Sequence, residues 1–118
     1  MQTDSFHYSV TNHIARVKFA RPKTLGSLTF KVYRDLTDLM YALRSDDNVK
    51  VVIIEGEGKG FCSGGDVHEI IGDLFARDVK GLLEFTRMTG ELIVNMRQLE
   101  KPIIASINGI AAGAGAVI

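Results

Sequence analysis

Two glycine-rich stretches carry the residue types and spacing that could do chemistry. They are "GEGKGFCSGGD" from Gly56 to Asp66 and "NGIAAGAG" from Asn108 to Gly115. Each leaves a short apolar run, Lys50 to Glu55 in the first case and Pro102 to Ile107 in the second. Glycine lets a backbone approach a ligand closely and take unusual φ, and a helix N-terminus adds unpaired N–H groups with a dipole that favours negative charge. One such turn is ordinary. Two, at the exits of buried strands, can face one ligand, because ligands of α/β sheets sit beyond the carboxyl ends of the strands. The spelling excludes the common phosphate loops. A Walker A motif would need glycine where Ile53 stands and Ser or Thr where Gly60 follows Lys59. The dinucleotide fingerprint fails as well, since the third glycine of Gly56-x-Gly58-x-Gly60 comes one residue early and Phe61 takes its place.

The titratable side chains offer less. Cys62 could act as a nucleophile only with a base beside it, and no cysteine-histidine signature supports that. His68 and Glu69 follow the first glycine turn on what reads as a short, solvated helix. Asp66 reads as that helix's N-cap. His7 and His13 sit in an N-terminal hairpin and read as surface residues. No metal-ligand spacing occurs among His, Cys and carboxylates, so no metal is expected.

Composition sets the frame for these elements. The chain has 118 residues, 46% of them hydrophobic, which is enough for one core and not for two. Fourteen Lys and Arg balance fourteen Asp and Glu, so nothing in the charge calls for nucleic acid. The lone cysteine rules out an internal disulfide framework, and the N-terminus lacks a secretory pattern; a cytoplasmic protein is the default expectation. The uncharged segment from Pro102 to Ile118 contains Gly109-x-x-x-Gly113, but it falls short of a membrane span and carries Pro102, Ser106 and Asn108, so no membrane association is expected.

Periodicity places the elements that must hold the two turns. Phe6 to Val10 and Ile14 to Ala20 read as a hairpin around Thr11-Asn12-His13, with Ala15, Val17 and Phe19 on one face. Thr29 is a plausible N-cap for an amphipathic helix carrying Val32, Leu36, Leu39, Met40 and Leu43, closed by Ser45-Asp46-Asp47. Lys50 to Glu55 reads as a strand covered on both faces. A short helix over 66–75 and a longer one over 79–98 come next, the latter with Leu82, Phe85, Met88, Leu92, Met96 and Leu99 along one side. Pro102 to Ile107 reads as a further buried strand, followed by a nascent helix at Gly113. This alternation predicts an α/β fold with a parallel sheet component.

Three segments in order, "RPKTLGSL" at 21–28, "FCSGGDVHEI" at 61–70 and "KPIIASINGIAAGAGAVI" at 101–118, resemble successive motifs of the crotonase family of enoyl-CoA hydratases and isomerases. The resemblance covers nearly the whole chain. It implies a crotonase-like spiral of ββα units, of which residues 1–118 would be the N-terminal part of one domain, in a family chain more than twice as long. It implies an acyl-CoA thioester as substrate, with coenzyme A arriving as part of that substrate and no tightly bound cofactor. It also implies homo-trimers or hexamers. Matched residue by residue, it puts two oxyanion-hole N–H donors at Gly65 and Ala114. The coenzyme A contacts fall at Lys23, Thr24, Leu25, Ser63, Gly64, Asp66, Val67 and Gly113. Fixed donors aimed at an enolate oxygen stabilise charge as it develops, about 3–4 kcal/mol for one donor, without any catalytic side chain.

The sequence also departs from the family pattern. Gly26-Ser27 stands in place of Asn-Ala, and Ala114 replaces a glycine. Val117 occupies the position that in hydratases holds one of two catalytic glutamates. Two other classes of function therefore stay open: a CoA-binding or structural subunit without chemistry, and a small α/β interaction module whose glycines only make turns.

Overall fold

The computed structural model describes residues 4–20, 28–64, 70, 72–113, 115 and 118. The chain opens with a hairpin of β1 (Phe6–Thr11) and β2 (Ile14–Phe19), paired antiparallel. Its two turn residues, Asn12 and His13, both have positive φ, at 53° and 66°. Two successive left-handed residues are what a tight two-residue hairpin loop needs to match the strand twist, and Asn is among the side chains that accept that conformation most readily. As the alternation predicts, Ala15, Val17 and Phe19 are buried.

Helix α1 (Phe30–Leu43) starts at Thr29, whose hydroxyl accepts from the Val32 N–H at 3.3 Å. Val32, Leu36, Leu39, Met40 and Leu43 are all buried, together with Tyr33 and Thr37. Burying each of the large aliphatic side chains contributes about 1.5–3 kcal/mol. The far end is held by Lys101, whose ammonium donates to the carbonyls of Leu43 and Asp46, the latter at 2.7 Å. A cation over the carbonyl end of a helix satisfies orphan acceptors and complements the dipole.

The chain then runs through β3 (Val51–Gly56), β4 (Gly60–Cys62), α2 (Gly72–Ala76), α3 (Val79–Arg97), β5 (Ile103–Ser106) and β6 (Ile110–Ala111). The main sheet has the order β1-β2-β3-β5, with β2, β3 and β5 mutually parallel. The second strand of each later pair leaves that sheet: β4 and β6 form a separate parallel pair. Strand, strand, helix therefore recurs along the chain, and in its second and third units the equivalent strands lie side by side, β3 with β5 and β4 with β6.

Helices α1 and α3 pack against each other and share one hydrophobic core with the sheet. Asp78 caps α3, accepting from the Gly81 N–H at 2.8 Å. Phe85 meets the edges of Phe30 and Tyr33 at centroid distances of 5.6 and 6.2 Å. The buried Asn95 amide donates to the Thr37 carbonyl at 3.1 Å, and the Thr37 hydroxyl to that of Tyr33 at 2.7 Å, so the polar groups between the helices are paired.

Three sequence expectations differ from the structure. On β3 only Val52 and Ile54 are buried, while Val51 and Ile53 are half-covered. Leu82 lies on the predicted apolar side of α3 yet is 41% exposed, beyond the reach of α1. Strand β5 was expected to be buried, but Ile104 is 51% and the following Ile107 62% exposed. Strand β5 is the last strand of the sheet, and among the described residues its side chains are largely left uncovered.

Candidate functional site

The two glycine-rich turns are brought together by the parallel pairing of β4 with β6, in which Gly60 lies opposite Ile110 and Cys62 opposite Ala111. Beyond the strands the Ala112 N–H donates to the Cys62 carbonyl at 3.0 Å. The backbones interlock so closely that several glycines have no room for a side chain. A Cβ on Gly109 would strike the Lys59 carbonyl, and one on Gly115 would lie 2.7 Å from Cys62 Cβ while overlapping the Cys62 carbonyl oxygen.

Gly64 is the point where all three sequence motifs meet. Its carbonyl accepts from the N–H of Leu28, the last residue of the first motif, at 2.6 Å. From the other side a Cβ placed on Gly113 would come within 3.8 Å of Gly64 Cα. Gly64 and Gly113 are both left-handed, with φ of 97° and 55°. A left-handed residue reorients the peptide that follows it, and runs of such N–H groups form concave anion-binding sites. Of the predicted contacts, Ser63, Gly64 and Gly113 are thus seen together. Lys23, Thr24, Leu25, Gly65, Asp66, Val67 and Ala114 lie outside the described residues, as do Gly26, Ser27, His68, Glu69 and Val117.

Cys62 is buried under this junction. Burial pushes its thiol above the ordinary 9.0, against a smaller opposing effect of a backbone hydrogen bond with Gly64. A buried thiol shifted in that direction keeps its proton at neutral pH. His7 is exposed as expected, though its ring meets the Glu57 carboxylate of the first glycine turn at 3.1 Å. His13 bonds the Asn48 carbonyl at 2.9 Å, away from the junction. Among the described residues no group of three or more His, Cys, Asp or Glu could hold a metal, and no helix is long and apolar enough to cross a membrane.

One residue of the site escaped the sequence reading. The carboxamide of Asn108 accepts from the Gly56 N–H at 3.2 Å and donates to the carbonyls of Gly58 at 2.9 Å and Gly60 at 3.3 Å. An asparagine directly before a glycine at a strand exit is a visible signal, but its partners lie some fifty residues away and no local pattern reveals them.

A separate cavity of about 260 Å³ lies between α3 and the sheet, lined by Ile54, Phe61, Met96 and Ile103 among others. Arg97 is its one charged residue. Its lining is largely apolar, and none of the residues named above for the two glycine turns except Phe61 belongs to it.

The profile of the family described as enoyl-CoA hydratase/isomerase matches residues 14–118. The chain is 40% identical over 102 residues to the probable enoyl-CoA hydratase 1, peroxisomal, of Arabidopsis thaliana, covering 86% of this chain and 36% of that one. It is 36% identical over 96 residues to the probable 3-hydroxyisobutyryl-CoA hydrolase 3 of the same plant, covering 81% and 25%. A crystal structure from Streptomyces coelicolor A3(2), assigned as an enoyl-CoA hydratase, superposes with a TM-score of 0.91 at 46% identity over 96% of this chain and 41% of that one. The chain thus spans between a quarter and about two-fifths of the length of these relatives.

Proposed function

The chain belongs to the enoyl-CoA hydratase/isomerase family, with the crotonase fold, and we propose that it binds an acyl-CoA thioester and stabilises the thioester enolate between the backbone N–H groups of Gly65 and Ala114. The observation that carries this reading is the convergence on Gly64. Residues 28, 64 and 113 come from three separate motifs, and the two left-handed glycines immediately precede the two proposed donors. Removing an α-proton from the thioester moves charge onto its oxygen. Two fixed N–H groups there stabilise that charge without reorganising at the moment of reaction. Lys23 would meet a phosphate of coenzyme A as a point charge, and Thr24, Leu25, Ser63, Gly64, Asp66, Val67 and Gly113 would line the thioester end. The family reading extends to a homo-trimer or hexamer.

The reaction itself is left open by the same residues. Relatives are named as a hydratase and as a hydrolase, and an oxyanion hole serves both chemistries, holding an enolate in the first and the tetrahedral oxyanion of acyl transfer in the second. Val117 removes one of the family's two carboxylates, which favours a second reading, a CoA-binding subunit with little turnover. Turnover on a panel of enoyl-CoA thioesters, measured beside acyl-CoA affinity, separates the two: binding without turnover selects the second. The oxyanion assignment is tested by Gly65→Pro, which deletes one donor and is expected to lower any enolate chemistry by about 10²–10³. A folded Gly65→Pro protein with an unchanged rate would refute it.

A further inference from the structure

We infer that Asn108 is a positioning residue: its carboxamide sets the register of the first glycine turn against the second and so the spacing of the two oxyanion donors. This deepens the oxyanion-hole reading and rests on it. The ladder between β4 and β6 is too short to fix that register alone. It consists of the pairs Gly60 with Ile110 and Cys62 with Ala111, and its register shifts between them. A slip of one residue along a strand displaces the chain by about 3.3 Å, enough to separate the donors. Asn108 stands two residues before Ile110 and grips three peptide groups of the turn that leads into β4: the Gly56 N–H, the Gly58 carbonyl and the Gly60 carbonyl. Gly58 is itself left-handed, at φ 81°, so its carbonyl is presented by a conformation the turn must keep.

The chemistry of the grip is specific. A carboxamide offers an acceptor and two N–H donors on one planar group; a carboxylate offers no donor, and a hydroxyl only one. Steric fit adds to it. A Cβ on Gly56 would come 2.8 Å from the Asn108 carboxamide oxygen and 2.6 Å from Phe61 Cα, so the turn seats on Asn108 in one position. Past the bulge, the Ala112 N–H to Cys62 carbonyl bond at 3.0 Å carries that register on to Gly64 and Gly113.

The test uses the intact protein and acetoacetyl-CoA, a β-ketothioester acidic enough for its enolate to be followed by near-ultraviolet absorbance. Wild type is expected to bind it with part of the ligand as enolate. Asn108→Asp keeps the shape and the acceptor but loses both donors; it is expected to leave the dissociation constant within about threefold while the enolate-to-keto ratio at saturation falls about tenfold or more. Asn108→Ala, which introduces no charge, is expected to do the same and covers the case in which the aspartate variant fails to fold. A folded variant with an unchanged enolate band overturns the role of Asn108. So does a parallel loss of affinity and band, which would mark Asn108 as merely structural. Wild type that binds the thioester without any enolate refutes the oxyanion reading instead, and the inference with it.

Discussion

The interlocked glycines allow a sharp test of the site's architecture through Gly115→Ala. A Cβ at this position would lie 2.7 Å from both the carbonyl carbon and the Cβ of Cys62, and closer still to the carbonyl oxygen. Ordinary contact begins near 3.4 Å, so the segment must retreat by about 0.7 Å to clear the two carbons and by more to clear the carbonyl oxygen. The obstacle is largely backbone and cannot swing aside as a flexible side chain would. Overpacking of this kind costs about 1–3 kcal/mol. The same retreat stretches the Ala112 N–H to Cys62 carbonyl bond from 3.0 Å beyond useful length, a further loss of about 0.5–1.5 kcal/mol. Against this, alanine restricts the unfolded chain and returns about 0.4–1 kcal/mol. The net expectation is a destabilisation of about 1–3 kcal/mol. Urea denaturation should show it as a lower midpoint at unchanged slope. Gly90→Ala is the matched control: nothing lies within 4 Å of its Cβ, it sits inside α3, and it should gain about 0.5–1 kcal/mol. Equal stability of Gly115→Ala and wild type would show that the close approach of the two turns is not as drawn here.

Leu92 of α3 is fully buried in the core, so Leu92→Ala should cost about 2–5 kcal/mol by urea denaturation, whereas Val94→Ala, half-exposed on the same helix, should stay within about 0.5 kcal/mol. Burial holds the thiol proton of Cys62 and the phenol protons of Tyr8 and Tyr33 to higher pH when folded than when unfolded. The folded state then binds more protons, so this stability is complete below the ordinary thiol value of 9.0 and declines as pH rises above it. Thermal melts from about pH 8 to 11 should fall, and Cys62→Ala should flatten the first part of the fall; a constant melting temperature through that window would contradict it. Syn addition of water to an enoyl thioester needs one group to activate water and another to protonate the α-carbon, whereas moving a double bond needs a single base. With Val117 in place of one glutamate, the intact protein should hydrate crotonyl-CoA weakly, and Val117→Glu should raise the rate where a second carboxylate completes the pair. Efficient wild-type hydration, with kcat of about 10²–10³ per second, would show that Val117 has been misread.

Periodicity made the parts of the fold with one buried face legible. Thr29 before a 3.6-residue pattern gave α1 its start, and the alternation of Ala15, Val17 and Phe19 gave the hairpin its inner face, because both signals are local and amplified by burial. The same logic misled at β5. Ile103, Ile104 and Ile107 spell a strand covered on both sides, yet in the structure the strand keeps an open edge and exposes most of its side chains. Apolar composition records what a strand must ultimately be covered by, not what covers it among the described residues. The pairing that joins the two glycine turns was illegible for a different reason. The glycines were visible at once, but β4 and β6 are three and two residues long, too short for any period, and they exist only because they pair across about fifty positions of sequence. Asn108 belongs to the same class. Its three hydrogen bonds join residues 48 to 52 positions apart, so their information lies in the fold and not in any window of sequence. A backbone-built site is where this gap should be widest: the groups proposed to do the chemistry are peptide N–H groups, common to every non-proline residue, so no side-chain type announces them.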